Sequence, residues 1–179
     1  MKIPLRNKML LLFYRLFNKE KYPKPLLKIS NSGKGVRNII FLLPSNKIQA
    51  QTVSYFAKRN INQKVRFIIH EKGLPYYKDI PHENFIIYRD SDINWFGAIR
   101  RKSITRELGD KSYDCLIDLC QSYELALSLL TIHFNIPIKI GIQSPIAKYL
   151  FSIVIEPSKD GFLETNYLLI ENILGISKK

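Results

Sequence analysis

The sequence predicts an α/β fold, a mostly parallel sheet with helices on both faces, preceded by a basic amphipathic helix. Three observations predict it. Short apolar runs of strand length recur between residues 36 and 156. Segments with helical spacing of apolar residues separate them. The first run, Val36-Arg37-Asn38-Ile39-Ile40-Phe41-Leu42-Leu43, is nearly continuous instead of alternating, as suits a strand covered on both faces. Strands alternating with helices in this way imply right-handed crossovers and a Rossmann-like arrangement.

The elements follow in order. Leu5, Met9, Leu12, Phe13 and Leu16 share one helical stripe, with Lys8, Arg15 and Lys19 opposite. Tyr22-Pro23-Lys24-Pro25 ends that helix, and Asn31-Ser32-Gly33-Lys34-Gly35 leads into the first strand. Pro44-Ser45 breaks the strand. A helix is predicted from about Asn46 to Asn60, where Asn46 and Gln49 sit at capping-box spacing. Val65–Ile69 and Phe85–Tyr88 read as the second and third strands.

Asp92–Gly97 is a loop holding the single tryptophan, Trp95. The Trp95-Phe96 pair is expected to anchor that loop in the interior, with an exposed binding platform as the alternative. A short helix over Ser103–Leu108 is closed by Gly109. Tyr113–Leu119 is the fourth strand, and a helix is predicted from Ser122 to about Phe134. Ile138–Ile142 and Ile153–Ile155 are further strands. Asp160 is the expected cap of a last helix that runs to Leu174 and ends at Gly175. The organisation is thus a helix and tail over 1–28, a linker over 29–35, and one Rossmann-like domain over 36–179.

Composition narrows the function classes. A chain of 179 residues with 46% hydrophobic residues is globular, not disordered. Its net charge of +13 points to anionic partners. Residues 1–28 hold eight basic residues against Glu20, a net +7, so the charge is concentrated at the start. The run Met9–Tyr14 is cut by Arg15 and falls short of the roughly 20 apolar residues of a membrane span. No small-residue cleavage site follows it, against a signal peptide. Cys115 and Cys120 read as a buried reduced pair, consistent with the cytosol.

In such a sheet, ligands bind beyond the carboxyl ends of the strands. The candidate ligand-binding residues there are Ser45, Asn46, Asp118, Gln121 and Ser122, with a sugar or phosphate-bearing ligand as the chemistry they suit. Helix starts at Asn46 and Ser122 would point N–H groups at an anion. Asp118 closes an apolar strand, so its carboxylate either binds nearby backbone N–H groups or grips a hydroxyl-rich ligand. Asp90 and Asp92 are the weak candidates for a divalent cation, and a solvated turn is the simpler account of them.

His70, His82 and His133 form no constellation, and no serine occupies a Gly-x-Ser-x-Gly elbow. Gly33-Lys34-Gly35 precedes its strand, so it is no phosphate-binding loop. No catalytic residue, cofactor or metal site is assigned.

The segment Tyr113-Asp114-Cys115-Leu116-Ile117-Asp118-Leu119, a following helix, and then Ile138-Lys139-Ile140-Gly141 resemble the acceptor-binding half of glycosyltransferase family 9, the lipopolysaccharide heptosyltransferases. The resemblance covers roughly residues 36–156. It implies a Rossmann-like half-enzyme that binds a sugar acceptor. Two departures matter. Family members carry Gly-Asp after the first strand, the aspartate being the candidate base, whereas Pro44-Ser45-Asn46-Lys47 has no carboxylate. The resemblance does not extend to the family's donor-binding half, so a half-enzyme is the expectation. Asp92-Ile93-Asn94-Trp95-Phe96-Gly97 resembles a segment of a small uncharacterised group of bacterial proteins of about this length, from which a complete chain is expected.

The expectation is therefore a non-catalytic binding or scaffold module at the cytoplasmic face of the membrane, linked to envelope glycan synthesis. Its membrane-surface candidates are Lys8, Phe13, Arg15, Phe17 and Lys19. Packing of the same helix on the domain would need the same amphipathicity. A protein partner is an alternative to the membrane. A second reading is nucleic-acid binding along a stripe of Lys58, Arg59, Lys64, Arg66, Arg100, Arg101 and Lys102. A third is one subunit of a split glycosyltransferase.

Overall fold

A computed structural model describes residues 5–17, 36–61, 64–109, 112–122, 124–157 and 163–175. Helix α1 (Leu5–Phe17) comes first. The strands are β1 (Ile39–Leu42), β2 (Val65–His70), β3 (Phe85–Tyr88), β4 (Cys115–Asp118), β5 (Ile138–Ile142) and β6 (Ile153–Ile155). The remaining helices are α2 (Lys47–Arg59), α3 (Arg101–Leu108), α4 (Leu125–Leu130), α5 (Ala147–Leu150) and α6 (Leu163–Leu174). The expected linker over 29–35 and the expected cap Asp160 lie outside the described residues.

The six strands form one sheet in the order β3-β2-β1-β4-β5-β6, every adjacent pair parallel. This is a Rossmann-like α/β fold, and the strand order reverses between β1 and β4. β1 is buried along its whole length, which explains its continuous apolar run. Alternate residues serve opposite faces. Ile39 and Phe41 join Val53, Phe56, Tyr167 and Ile170 of α2 and α6 on one side. Ile40 and Leu42 join Ile104, Leu108, Leu127 and Leu130 of α3 and α4 on the other. Each such side chain contributes about 1.5–3 kcal/mol on burial.

Several boundaries shift for local reasons. Residues 36–38 stay outside β1, although the Asn38 and Arg37 N–H groups are both held by the Asp114 carboxylate at 2.9 Å. The helix predicted from Ser122 starts only at Leu125 and passes into a 3-10 turn over Thr131–His133. Ser122 instead bonds to Gln49 of α2, and Glu124 to Ser45 in the loop after β1. Gly141 of the Ile140-Gly141 pair has a packing cause, because a Cβ there would run into the Phe151 ring. Gly109 closes α3 with φ +63, as its C-terminal position predicts.

Candidate functional site

The reversal between β1 and β4 sets the loop Pro44–Asn46 beside Leu119–Ser122 and Glu124 at the carboxyl edge of the sheet. Asn46 caps α2, its Oδ1 accepting the Ile48 N–H at 2.9 Å. The expected reciprocal bond from Gln49 does not form. Gln49 reaches across the crevice instead: its Nε2 donates to Ser122 Oγ at 2.6 Å, and its Oε1 accepts the Gln121 N–H at 3.2 Å. Ser122 is thus a crevice residue and not the start of a helix.

Glu124 completes the junction. Its Oε1 accepts the Ser45 N–H at 3.0 Å and the Ser45 hydroxyl at 3.3 Å. Just ahead of α2, where the fold favours an anion, the chain places its own carboxylate. Burial pushes the Glu124 carboxyl above its ordinary value, the Ser45 N–H opposes that shift, and the Asp118 charge adds to it. The loop after β1 has no carboxylate in sequence but receives one in space. Sequence reasoning passed over Glu124, because it follows β4 by six positions and belonged to a predicted helix.

Asp118 is buried and fully engaged. Its Oδ1 accepts the Cys120 N–H at 3.0 Å and its Oδ2 accepts the Ser128 hydroxyl at 2.9 Å. It ties β4 to the following loop and to α4, which is the loop-fixing role. Burial raises its carboxyl despite these donors. Tyr77 and Tyr167 extend the network, their hydroxyls donating to the Pro44 and Leu119 carbonyls at 2.9 and 3.3 Å. Of the five sequence candidates, the structure gathers Ser45, Gln121 and Ser122 around Gln49 and Glu124. Asn46 serves the helix and Asp118 the interior.

Asp90 and Asp92 turn to separate partners. The Nδ1 of His70 accepts the Lys72 N–H, which leaves Nε2 to donate to Asp90 Oδ1 at 3.0 Å. Lys72 Nζ donates to Asp90 Oδ2 at 2.6 Å, and this bond, with that of His70, holds the Asp90 carboxyl below its ordinary value. Asp92 accepts the Arg89 N–H at 2.9 Å. No cluster of three or more metal-ligating side chains occurs among the described residues.

A second region has the opposite character. Leu10 of α1 packs beside Ala98, Leu129, Ile146 and Leu150. Arg6 Nη1 donates to the Trp95 carbonyl at 3.4 Å. These contacts seat α1 against the hairpin closed by the Ile93–Ile99 bridge, whose turn needs Gly97 at φ +80. The predicted stripe nonetheless faces outward: Leu5 is 74% exposed, Met9 63%, Leu12 62% and Phe13 62%. Trp95, at 79%, and Phe96, at 45%, stand exposed beside it. The expectation that they anchor the loop in the interior is corrected, because Ile93 and Ile99 do that work and leave the turn residues outside.

Lys8 is exposed on α1. The side chains of Arg15 and Phe17, and Lys19 entirely, lie outside the described residues. No described helix is long and apolar enough to cross a membrane. Several members of the proposed basic stripe have partners within the chain. Lys58 pairs with Asp79 at 2.9 Å and Arg59 with the buried Glu171 at 3.1 Å. Arg66 donates to the Glu83 carbonyl at 3.1 Å. Of the stripe residues, Arg100, Arg101 and Lys102 line one groove.

A model for a family of unknown function, DUF6913, matches residues 15–171. The chain belongs to this family. No curated protein matches the chain. The DUF6913 match takes in the whole sheet, the crevice at Ser45 and Glu124, and the Trp95 hairpin, while Leu5–Tyr14 of α1 precede it.

Proposed function

We propose that this protein docks on an anionic membrane surface through α1 and the Trp95-Phe96 turn, and acts there as a non-catalytic binding or scaffold module. One observation carries the reading: α1 is seated by Leu10 and Arg6 yet turns Leu5, Met9 and Leu12 to solvent beside an exposed tryptophan. An amphipathic helix in this attitude buries its apolar face among acyl chains while its basic residues meet the headgroups. Lys8 is exposed on the same helix, and residues 1–28 carry a net +7, so the charge matches an anionic surface. The resemblance to the acceptor half of family 9 glycosyltransferases supports envelope glycan synthesis as the setting.

The test is flotation of the full chain with anionic and neutral vesicles, against a Met9→Glu/Leu12→Glu variant. Wild type is expected to float with anionic vesicles and the variant to bind more than about tenfold more weakly, since each apolar side chain contributes about 1.5–3 kcal/mol. Equal flotation of both proteins would reject the reading.

Glu124 favours a second reading, the acceptor-binding subunit of a split glycosyltransferase. Its carboxylate occupies the crevice edge where the sequence of the Ser45 loop lacks one. Co-purification of a donor-binding chain, with transferase activity that falls in Glu124→Gln, would establish it; activity unchanged in that variant would remove it.

A further inference from the structure

β3 is one of the two edge strands of the sheet, and α3 packs along it, leaving a groove of about 1040 Å³ between them. Arg89, Arg100, Arg101, Lys102 and Arg106 line it, against the carboxylates of Glu83, Asp92 and Glu107. Phe85 and Ile87 of β3 add apolar surface. Among the described residues, Arg100, Arg101, Lys102 and Arg106 make no ion pair, although three carboxylates share their groove. Arg89 is committed, its Nε donating to Glu71 at 3.0 Å.

Apart from Arg106 in the last turn, the placement of these charges does not favour the helix that carries them. Lys102 and Arg106 are a like-charge pair at i,i+4, which is destabilising. No acidic residue occupies the first turn of α3, where carboxylates are favoured. The sequence therefore accepts the repulsion of Lys102 and Arg106, with Arg100 and Arg101 beside them on the wall of an open groove. A ligand with clustered negative charge relieves that repulsion, and guanidinium groups match phosphate oxygens by paired N–H bonds.

We propose that this groove binds a phosphate-bearing anion with two or more phosphate groups, held by Arg100, Arg101, Lys102 and Arg106. The phosphates belong either to a soluble molecule or to a lipid headgroup. Arg100 hydrogen-bonds through its N–H to the Asp92 carbonyl at the base of the Trp95 hairpin, so the groove adjoins the exposed turn. The proposal itself does not depend on membrane docking by α1.

The test uses the full chain and inorganic pyrophosphate, titrated by calorimetry. Arg101→Ala/Lys102→Ala/Arg106→Ala is compared with Lys47→Ala/Lys78→Ala/Lys148→Ala, which removes the same charge from exposed positions elsewhere. The groove variant is expected to bind at least about tenfold more weakly, and the control to stay within about twofold of wild type. Flotation then distinguishes the source. Selective loss of binding to vesicles bearing phosphomonoester lipids, with phosphatidylserine vesicles unaffected, identifies a headgroup; loss of pyrophosphate binding alone identifies a soluble ligand. No pyrophosphate binding by wild type, or equal weakening in both variants, overturns the proposal. Displacement of pyrophosphate from the groove by single-stranded RNA at tighter affinity also overturns it, in favour of nucleic acid. Met9→Glu/Leu12→Glu leaves the calorimetric titration unchanged, which separates this site from docking by α1.

Discussion

The crevice between β1 and β4 and the surface built from α1 and the Trp95 hairpin meet solvent in opposite ways. In the crevice and in the interior behind it, polar groups find one another: Ser45 with Glu124, Gln49 with Ser122, and the buried Asp118 with Ser128. On α1, Leu5, Met9 and Leu12 lie outward. A polar group taken from water costs free energy until it regains a hydrogen bond, so the crevice closes on itself. An apolar stripe gains only from burial, and the seating of α1 through Leu10 and Arg6 leaves Leu5, Met9 and Leu12 exposed. The position the fold favours for ligands is thus stabilised by the chain's own side chains, while a surface that would gain from burial stands elsewhere.

Substitutions should separate the two regions, stability responding in the first and surface binding in the second. The largest stability effect is expected at Asp118. Asp118→Ala would strip the acceptors from the Cys120 N–H and the Ser128 hydroxyl, costing about 1–3 kcal/mol for each donor left unmet. Asp118→Asn keeps one carbonyl acceptor and is expected to cost less. Denaturant midpoints measure both, and a neutral Asp118→Ala would break the account of a closed crevice.

A smaller effect is expected from pH. The Glu124 carboxyl titrates above its ordinary value of 4.5 when folded, so the folded state keeps a proton that the unfolded state has lost. The contribution of Glu124 is therefore most favourable below pH 4.5 and is lost as pH rises through the folded value. Glu124→Gln should flatten that part of the stability profile. An unchanged slope in thermal unfolding from acid to neutral pH would show that Glu124 is not held as described.

The smallest stability effect belongs to the exposed region. Trp95→Ala should shift unfolding by no more than about 0.5 kcal/mol, as exposed positions do. The same variant should weaken flotation with anionic vesicles. Loss of stability with flotation intact would reverse the assignment of the two regions.

Much of the scaffold was legible because periodicity records burial directly. Ile39–Leu42 reads as apolar throughout because helices cover both faces of β1, and Gly109 ends α3 where its conformation requires. The crevice was only half legible. Ser45, Gln121 and Ser122 were found by their positions after strands, whereas Gln49 and Glu124 were hidden in segments with helical spacing. Their roles depend on which strands become neighbours, and nothing local in the sequence states that β4 lies against β1.

The sequence by itself determined the alternation of strands and helices, the amphipathic stripe of α1 and the concentration of positive charge at the start. These follow from local spacing, which the backbone periods of helix and strand convert into faces. Only the tertiary structure decided that the stripe faces outward and that Trp95 is exposed. It also decided that Glu124 meets Ser45, 79 positions away, and that Arg100–Lys102 share a groove with Arg106 at the β3 edge. Those outcomes depend on contacts distant in the chain, which a pattern of neighbours does not encode.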